Sequence, residues 1–216
     1  MAVTDTVLSV FKTLATPTIA NALDDVGFEG VVQGLRQIVP GTRAVGRAVT
    51  VRHAAGARGD YTSADFKVGH MIDAARPGDI VVVDMGGHAI STWGGLATLA
   101  AVVKGIGGLV VDGGVRDQEE MLEHRLPIFA RHMTPLTGRT RLQMVGLNEP
   151  IRCGGVRVCA GDVVVADGSG VVVIPAEKAE QVAALAQKYT LDDEAAAKDL
   201  QAGLTFREAM AKFTRI

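Results

Sequence analysis

Positive charge is not in excess in this chain: 22 Lys and Arg stand against 24 Asp and Glu, for a formal net charge of −2. Grasping nucleic acid by its phosphates needs a basic surplus, so a general polyanion-binding role is excluded and no nucleic-acid partner is expected. Aromatic residues are scarce, at 4%, which leaves Val, Ala, Leu and Ile to fill the core. There are 2 cysteines, Cys153 and Cys159, too few for a disulfide scaffold. They flank a hairpin turn at Gly154-Gly155; a two-residue turn pairs Cys153 with Val156 and carries Cys159 out of its reach. Both read as buried small hydrophobes. No apolar run approaches the roughly 20 residues of a membrane span, and the densest, Ile80–Val83 and Val171–Ile174, have strand length. The opening MAVTDTVLSVFKTLATP is acidic and polar where a signal peptide has a basic start and an unbroken apolar run. The expectation is a cytoplasmic protein with no membrane partner.

What the chain does have is apolar residues (48%) and glycine (26 of 216 residues). A chain of this length buries roughly 70% of its unfolded surface, enough for its own core. No linker or low-complexity segment interrupts it, so a single domain is expected over 1–216, with a helical tail from about 176 to 216. Thr4–Leu14 has helical spacing, and Thr16-Pro17 reads as an N-cap and first helical residue of a helix ending at Gly27. Arg47–Arg52 alternates as a strand, Phe66–Ala75 is helical, and Arg76-Pro77-Gly78-Asp79 is a turn. Ile80–Asp84 and Leu109–Asp112 are buried strands around a helix, Leu96–Lys104. A helix from Arg116-Asp117 to about Glu123 and a strand beginning at Pro127–Ala130 follow. This alternation predicts a βαβ unit on a parallel sheet. Short strands follow at Ile151–Cys153, Val156–Cys159, Asp162–Ala166 and Val171–Ile174. A long helix then runs to about Ala202, and Thr205 with Glu208 forms a capping box for a last one.

Parallel sheets place ligands beyond the carboxyl ends of their strands. Two such ends here feed glycine-rich loops. The first, Gly86–Gly95, opens a helix at Leu96 and is either an ordinary strand-to-helix turn or an anion cradle made by the N–H groups of Gly94, Gly95, Leu96 and Ala97. It has neither the Lys-Ser/Thr ending of a phosphate loop nor the Gly-x-Gly-x-x-Gly spacing. The second is Asp112-Gly113-Gly114-Val115-Arg116-Asp117-Gln118-Glu119-Glu120. Asp117 is either an ordinary helix cap or one carboxylate of a Mg²⁺ or Mn²⁺ site, which takes one or two protein carboxylates and keeps several waters. Glu120, one turn on, would receive a metal-bound water. Arg116 is either a solvated charge or a planar fork for a substrate carboxylate. Together these residues suit a small α-keto acid. His53, His70, His88, His124 and His132 show no zinc spacing. His88 and Trp93 share the first loop, where Trp93 reads as a packing residue.

The order Gly95, twenty residues, Arg116-Asp117, two residues, Glu120 resembles the RraA-like family of 4-hydroxy-4-methyl-2-oxoglutarate aldolases and oxaloacetate decarboxylases. Supporting stretches are Thr16–Leu23, Val45–Thr50 and Arg76–Asp79, and the likeness covers roughly residues 16–175. The resemblance implies an α-β-β-α sandwich and a homotrimer or hexamer with active sites between subunits. It also implies substrate contacts from Gly94–Ala97 and Arg116, and a divalent metal on Asp117. Some relatives carry Asp where Gly95 stands. Family aldolases borrow a Glu from a neighbouring subunit, for which Glu29 is the positional candidate. The expected activity is metal-dependent cleavage of the C3–C4 bond of a 4-carboxy-2-keto acid, with pyruvate as product. The alternatives are a non-catalytic RNase E-binding regulator and a lyase for another hydroxy-keto acid. No lysine stands in either loop, which disfavours a Schiff-base mechanism.

Overall fold

A computed structural model of the protein describes residues 3–212. Helix α1 (Asp5–Phe11) is capped by Thr4, whose hydroxyl accepts the Val7 N–H at 3.3 Å. Helix α2 (Thr16–Asp25) has Ala15, not Thr16, at its N-cap. Thr16 is drawn into the first turn because Asp167, distant in sequence, accepts both its N–H (2.9 Å) and its hydroxyl (2.7 Å). Strands β1 (Val31–Val32) and β2 (Arg36–Gln37) lead to β3 (Ala44–Ala55), longer at both ends than the alternating Arg47–Arg52 core.

The central unit follows the expected alternation. Helix α3 (Val68–Ala74) precedes β4 (Ile80–Asp84), β5 (Ser91–Trp93), α4 (Gly95–Lys104), β6 (Gly108–Val115), α5 (Gln118–His124) and β7 (Ile128–Met133). Strands β3, β4, β6 and β7 pair in parallel in that order. Every residue of β6 is buried, as a strand covered on both faces requires. Strand β8 (Leu142–Leu147) pairs with the end of β3. Then come a hairpin of β9 (Ile151–Cys153) and β10 (Val156–Val158), β11 (Val163–Asp167) and β12 (Gly170–Ile174). The hairpin register sets Cys153 opposite Val156, and both cysteines are free. A 3₁₀ turn (Ala176–Lys178) opens α6 (Ala179–Gln201), and α7 (Phe206–Met210) carries the Thr205/Glu208 capping box.

Strand β3 bends the architecture into layers. Its first residues pair antiparallel with β11, and its middle pairs parallel with β4, so one strand serves two sheet segments. Three apolar clusters fill the spaces between layers. Phe11, Ile19, Leu23 and the Ala179–Val182–Ala186–Tyr189 face of α6 pack on Val163, Val165, Val172 and Ile174. Ile80, Val82, Val110 and Phe129 meet Val164, Val171, Val173, Ile151 and Val158 between the two sheet segments. Met71, Ala101 and Met121 of α3, α4 and α5 cover Val81, Val83, Leu109 and Val111. The order is helices, sheet, sheet, helices: the α-β-β-α sandwich. No helix among the described residues is long and apolar enough to cross a membrane.

Candidate active site

The carboxyl ends of β4 and β6 lie side by side, with Asp84 in register with Asp112. The chain beyond β4 does not run straight into a helix as the glycines of Gly86–Gly95 imply. It first forms β5, whose Ser91 and Trp93 pair with Gly114 and Val115 at the end of β6. Trp93 is buried, and its Nε1 donates to Thr98 Oγ1 (3.0 Å), which in turn donates to the Gly94 carbonyl (2.9 Å). That chain of bonds fixes the start of α4, as a packing role for Trp93 leads one to expect.

Two carboxylates reach this helix start. Asp117 stands at the N-cap of α5 in the left-handed region (φ 62°), but its side chain makes no bond to its own helix. Its Oδ2 instead accepts the Gly95 N–H of α4 at 3.0 Å and lies 3.6 Å from Arg116 Nε. Of the four N–H groups expected to be open, Gly95's is therefore taken from within, by the carboxylate of Asp117. Those of Leu96 and Ala97 have no intrahelical partner and carry the positive end of the α4 dipole. Glycine at 94 and 95 does more than admit a ligand. A Cβ at Gly94 would stand 2.4 Å from Asp117 Oδ2, and one at Gly95 1.7 Å from Glu120 Oε2. Bare α-carbons are what let both carboxylates press onto the helix end, so a side chain at 95 and the present position of Glu120 exclude each other.

Gly94, Gly95, Leu96, Ala97, Arg116, Asp117 and Glu120 line one cleft of about 330 Å³, with Phe66 and Thr137 on its walls. Arg116 and Asp117 are half-exposed there, so their charges are open to a ligand. Glu29 is not in it: with Asp24 and Gln33 it lines a separate concavity of about 280 Å³. His88 is outside the cleft too. His132 lies below the first loop, its Nε2 2.9 Å from the Gly87 carbonyl. His53, absent from the sequence-based site, stands behind the wall. Its Nδ1 is 3.1 Å from Thr92 Oγ1, its ring lies tilted beside Phe66 with centroids 6.1 Å apart, and its Nε2 is buried without a partner among the described residues. Burial pushes its pKa down to about 4, so the ring is neutral near pH 7. Nothing local in the sequence marks it, because Thr92 and Phe66 reach it only through the fold.

The donor set can be tested against a divalent cation. Asp117 and Glu120 are the two carboxylates lining the cleft, and Asp117 Oδ1 has no protein partner among the described residues. The described residues hold no group of three or more His, Cys, Asp or Glu that could ligate a metal together. Two carboxylates with open water positions fit Mg²⁺ or Mn²⁺ and do not fit a closed zinc cage.

Fold and cleft together define an α/β-layered protein in which an arginine, two carboxylates and a helix N-terminus line one cleft. The chain belongs to the RraA-like family: the Aldolase/RraA profile matches residues 16–173. It is 34% identical over 189 residues, 87% of this chain and 85% of the other, to a Halalkalibacterium halodurans protein named "Putative 4-hydroxy-4-methyl-2-oxoglutarate aldolase". Among solved structures it resembles an uncharacterized Pseudomonas syringae protein (TM-score 0.86, 30% identity, 97% and 98% of the two chains). It also resembles Streptomyces coelicolor RraAS2, described as an unusual member of the RNase ES inhibitor RraA family (TM-score 0.80, 25% identity, 90% and 96%).

Proposed function

We propose that this chain is a divalent-metal-dependent carbon–carbon lyase. It would cleave the C3–C4 bond of 4-carboxy-2-keto acids, either 4-hydroxy-4-methyl-2-oxoglutarate by retro-aldol reaction or oxaloacetate by loss of CO₂, to give pyruvate. The observation that carries this reading is the convergence of Arg116, Asp117, Glu120 and the open N–H groups of Leu96 and Ala97 on one cleft. The name of the Halalkalibacterium relative supports the same substrate class.

The residues divide the work by their chemistry. The Arg116 fork and the two N–H groups bind the carboxylate next to the keto group. When C3–C4 breaks, its electron pair moves onto the keto oxygen as an enolate, and the fixed positive charge of Arg116 favours that change. Asp117 would hold the cation and Glu120 a water beside it; when bound, the cation supplies Lewis-acid stabilisation of the developing charge. Water then protonates the enolate to pyruvate. No lysine lines the cleft, which agrees with a mechanism without a Schiff base.

Self-association belongs to this reading. Helix α4 turns Leu96, Leu99, Val102 and Val103 to solvent, and Leu96 also lines the cleft. A second copy on that face, in a homotrimer or hexamer, would border the site and bring Glu29 within its reach as the acid or base for the 4-hydroxyl. The same apolar face favours one other reading, a regulator that binds a nuclease as the description of RraAS2 implies. Pyruvate release from a panel of 4-carboxy-2-keto acids, with Mg²⁺, Mn²⁺ or EDTA, decides between them. Metal-dependent release supports the lyase. No release from any substrate, together with capture of an endonuclease, replaces it with the regulator.

A further inference from the structure

A third concavity, of about 460 Å³, adjoins the candidate active site and shares Thr137 with it. The rest of its lining is Arg58, Arg139, Thr140 and Arg141. None of these three arginines forms an ion pair among the described residues. The acid closest in sequence to Arg58, Asp60, turns its carboxylate to the Ala57 N–H at 2.6 Å.

The arginines are brought together by construction. Two loops far apart in sequence are stitched edge to edge: the Gly56 N–H donates to the Arg141 carbonyl (2.8 Å) and the Gly59 N–H to the Thr140 carbonyl (3.1 Å). Arg139 Nε donates to Ser63 Oγ (2.9 Å), and Arg141 Nη1 to the Thr137 carbonyl (3.2 Å). Thr140 is held at φ 64°, a conformation that a β-branched residue keeps only where its surroundings impose it. Three like charges border one hollow with no carboxylate in its lining, and each guanidinium keeps N–H groups that no acceptor among the described residues uses. Planar forks of this kind match the oxygens of carboxylates and phosphates.

We propose that the Arg58–Arg139–Arg141 cleft is an oxyanion-binding site that takes a carboxylate or phosphate group. The proposal rests on these residues and not on the lyase reading. The shared Thr137 allows two sources: the far end of an elongated ligand reaching in from the first cleft, or a free anion.

Titration calorimetry at constant ionic strength tests it, with inorganic phosphate and glutarate as probes and circular dichroism to verify folding. The expected result is saturable phosphate binding to the wild type, weakened at least tenfold in Arg58→Gln and in Arg139→Gln. Arg207→Gln, on α7, should bind as the wild type does. The proposal is overturned if the wild type shows no saturable binding, if both cleft variants retain its affinity, or if Arg207→Gln loses as much as they do. Glutarate separates the sources while supporting the site in either case. Its affinity falls in Arg116→Gln as well as Arg58→Gln if one ligand spans both clefts, and only in Arg58→Gln if the anion is free.

Discussion

Arg116 sits 3.6 Å from Asp117 and half-exposed to the cleft, so its charge is free to act on a ligand. Replacing it by Lys keeps the charge and removes the fork. Loss of one donor to a developing oxyanion costs about 3 kcal/mol, so Arg116→Lys should fold and lose at least roughly tenfold in turnover. The loss should fall on kcat as well as KM, because the enolate charge exists only along the reaction. Steady-state kinetics within twofold of wild type would remove Arg116 from the mechanism. Gly95→Ala tests the neighbouring contact. Its Cβ claims the space of the Glu120 carboxylate, so the helix should form while turnover or metal affinity, read by Mg²⁺ titration, falls roughly 10–100-fold. His53 makes a prediction in pH. Its pKa is about 4 in the fold against an ordinary 6.5, so the unfolded chain binds the extra proton first. Its contribution is complete above about pH 6.5 and is lost as the pH falls toward 4, by up to about 3 kcal/mol. Urea denaturation of wild type and His53→Leu at pH 7 and pH 4.5 should show the variant gaining on the wild type at the lower pH. A constant difference would show that His53 does not titrate this way.

At the scale of elements, one carboxylate joins pieces that the chain keeps far apart. Asp167, at the end of β11, takes the N–H and hydroxyl of Thr16 at the start of α2, the Ser169 N–H of its own turn, and the Arg43 guanidinium at 3.3 Å. Burial works against its charge, but the bonds from Thr16 and Ser169 and the Arg43 cation outweigh it and hold the carboxyl below its usual range. Removing the carboxyl leaves the Thr16 and Ser169 donors without their acceptor, while Arg43 keeps the Phe11 and Leu14 carbonyls, so Asp167→Ala should cost about 2 kcal/mol in urea denaturation at neutral pH. The cost should shrink as the pH falls through the carboxylate range, where the wild type loses the same charge. Helices α4 and α5 show the same dependence across distance: a residue at the N-cap of one serves the N-terminus of the other. A cap for α5 was legible at Asp117 from its place in the sequence. That its carboxylate belongs to α4 was not, because the αL backbone at 117 aims it away from its own helix.

For the molecule as a whole, the outer face of α4 is an apolar surface that the chain by itself leaves uncovered. Val103 is 80% exposed, so Val103→Glu should change the stability of an isolated chain by under about 0.5 kcal/mol. If a second copy covers that face, the same charge is buried unpaired and the assembly weakens. Light scattering should find the wild type at a trimer or hexamer mass and Val103→Glu shifted toward the 22.6 kDa chain. An active monomer at every concentration would remove both the trimer and the shared site.

The βαβ core, the hairpin of the cysteines, the Thr205 capping box and the Arg116-Asp117-x-x-Glu120 motif were all readable from the sequence. Each rests on local chemistry: β-branched runs, glycine turns, a cap with its partner three residues on. The three-residue β5 was too short to carry a periodic signal. β8 forms only because the end of β3 extends to meet it. Layering depends on β3 passing from one sheet segment to the other, a consequence of pairing partners more than a hundred residues apart at its β11 edge. The cleft follows the same division. Sequence named its charged residues, and tertiary structure decided that Gly94 and Gly95 make room for two carboxylates. It also decided that His53 stands behind the wall, that Glu29 lies elsewhere on the same chain, and that three arginines from two loops share a neighbouring hollow. Contacts between residues close in sequence are written in local spacing, whereas contacts across the fold exist only once packing has closed the long loops between them.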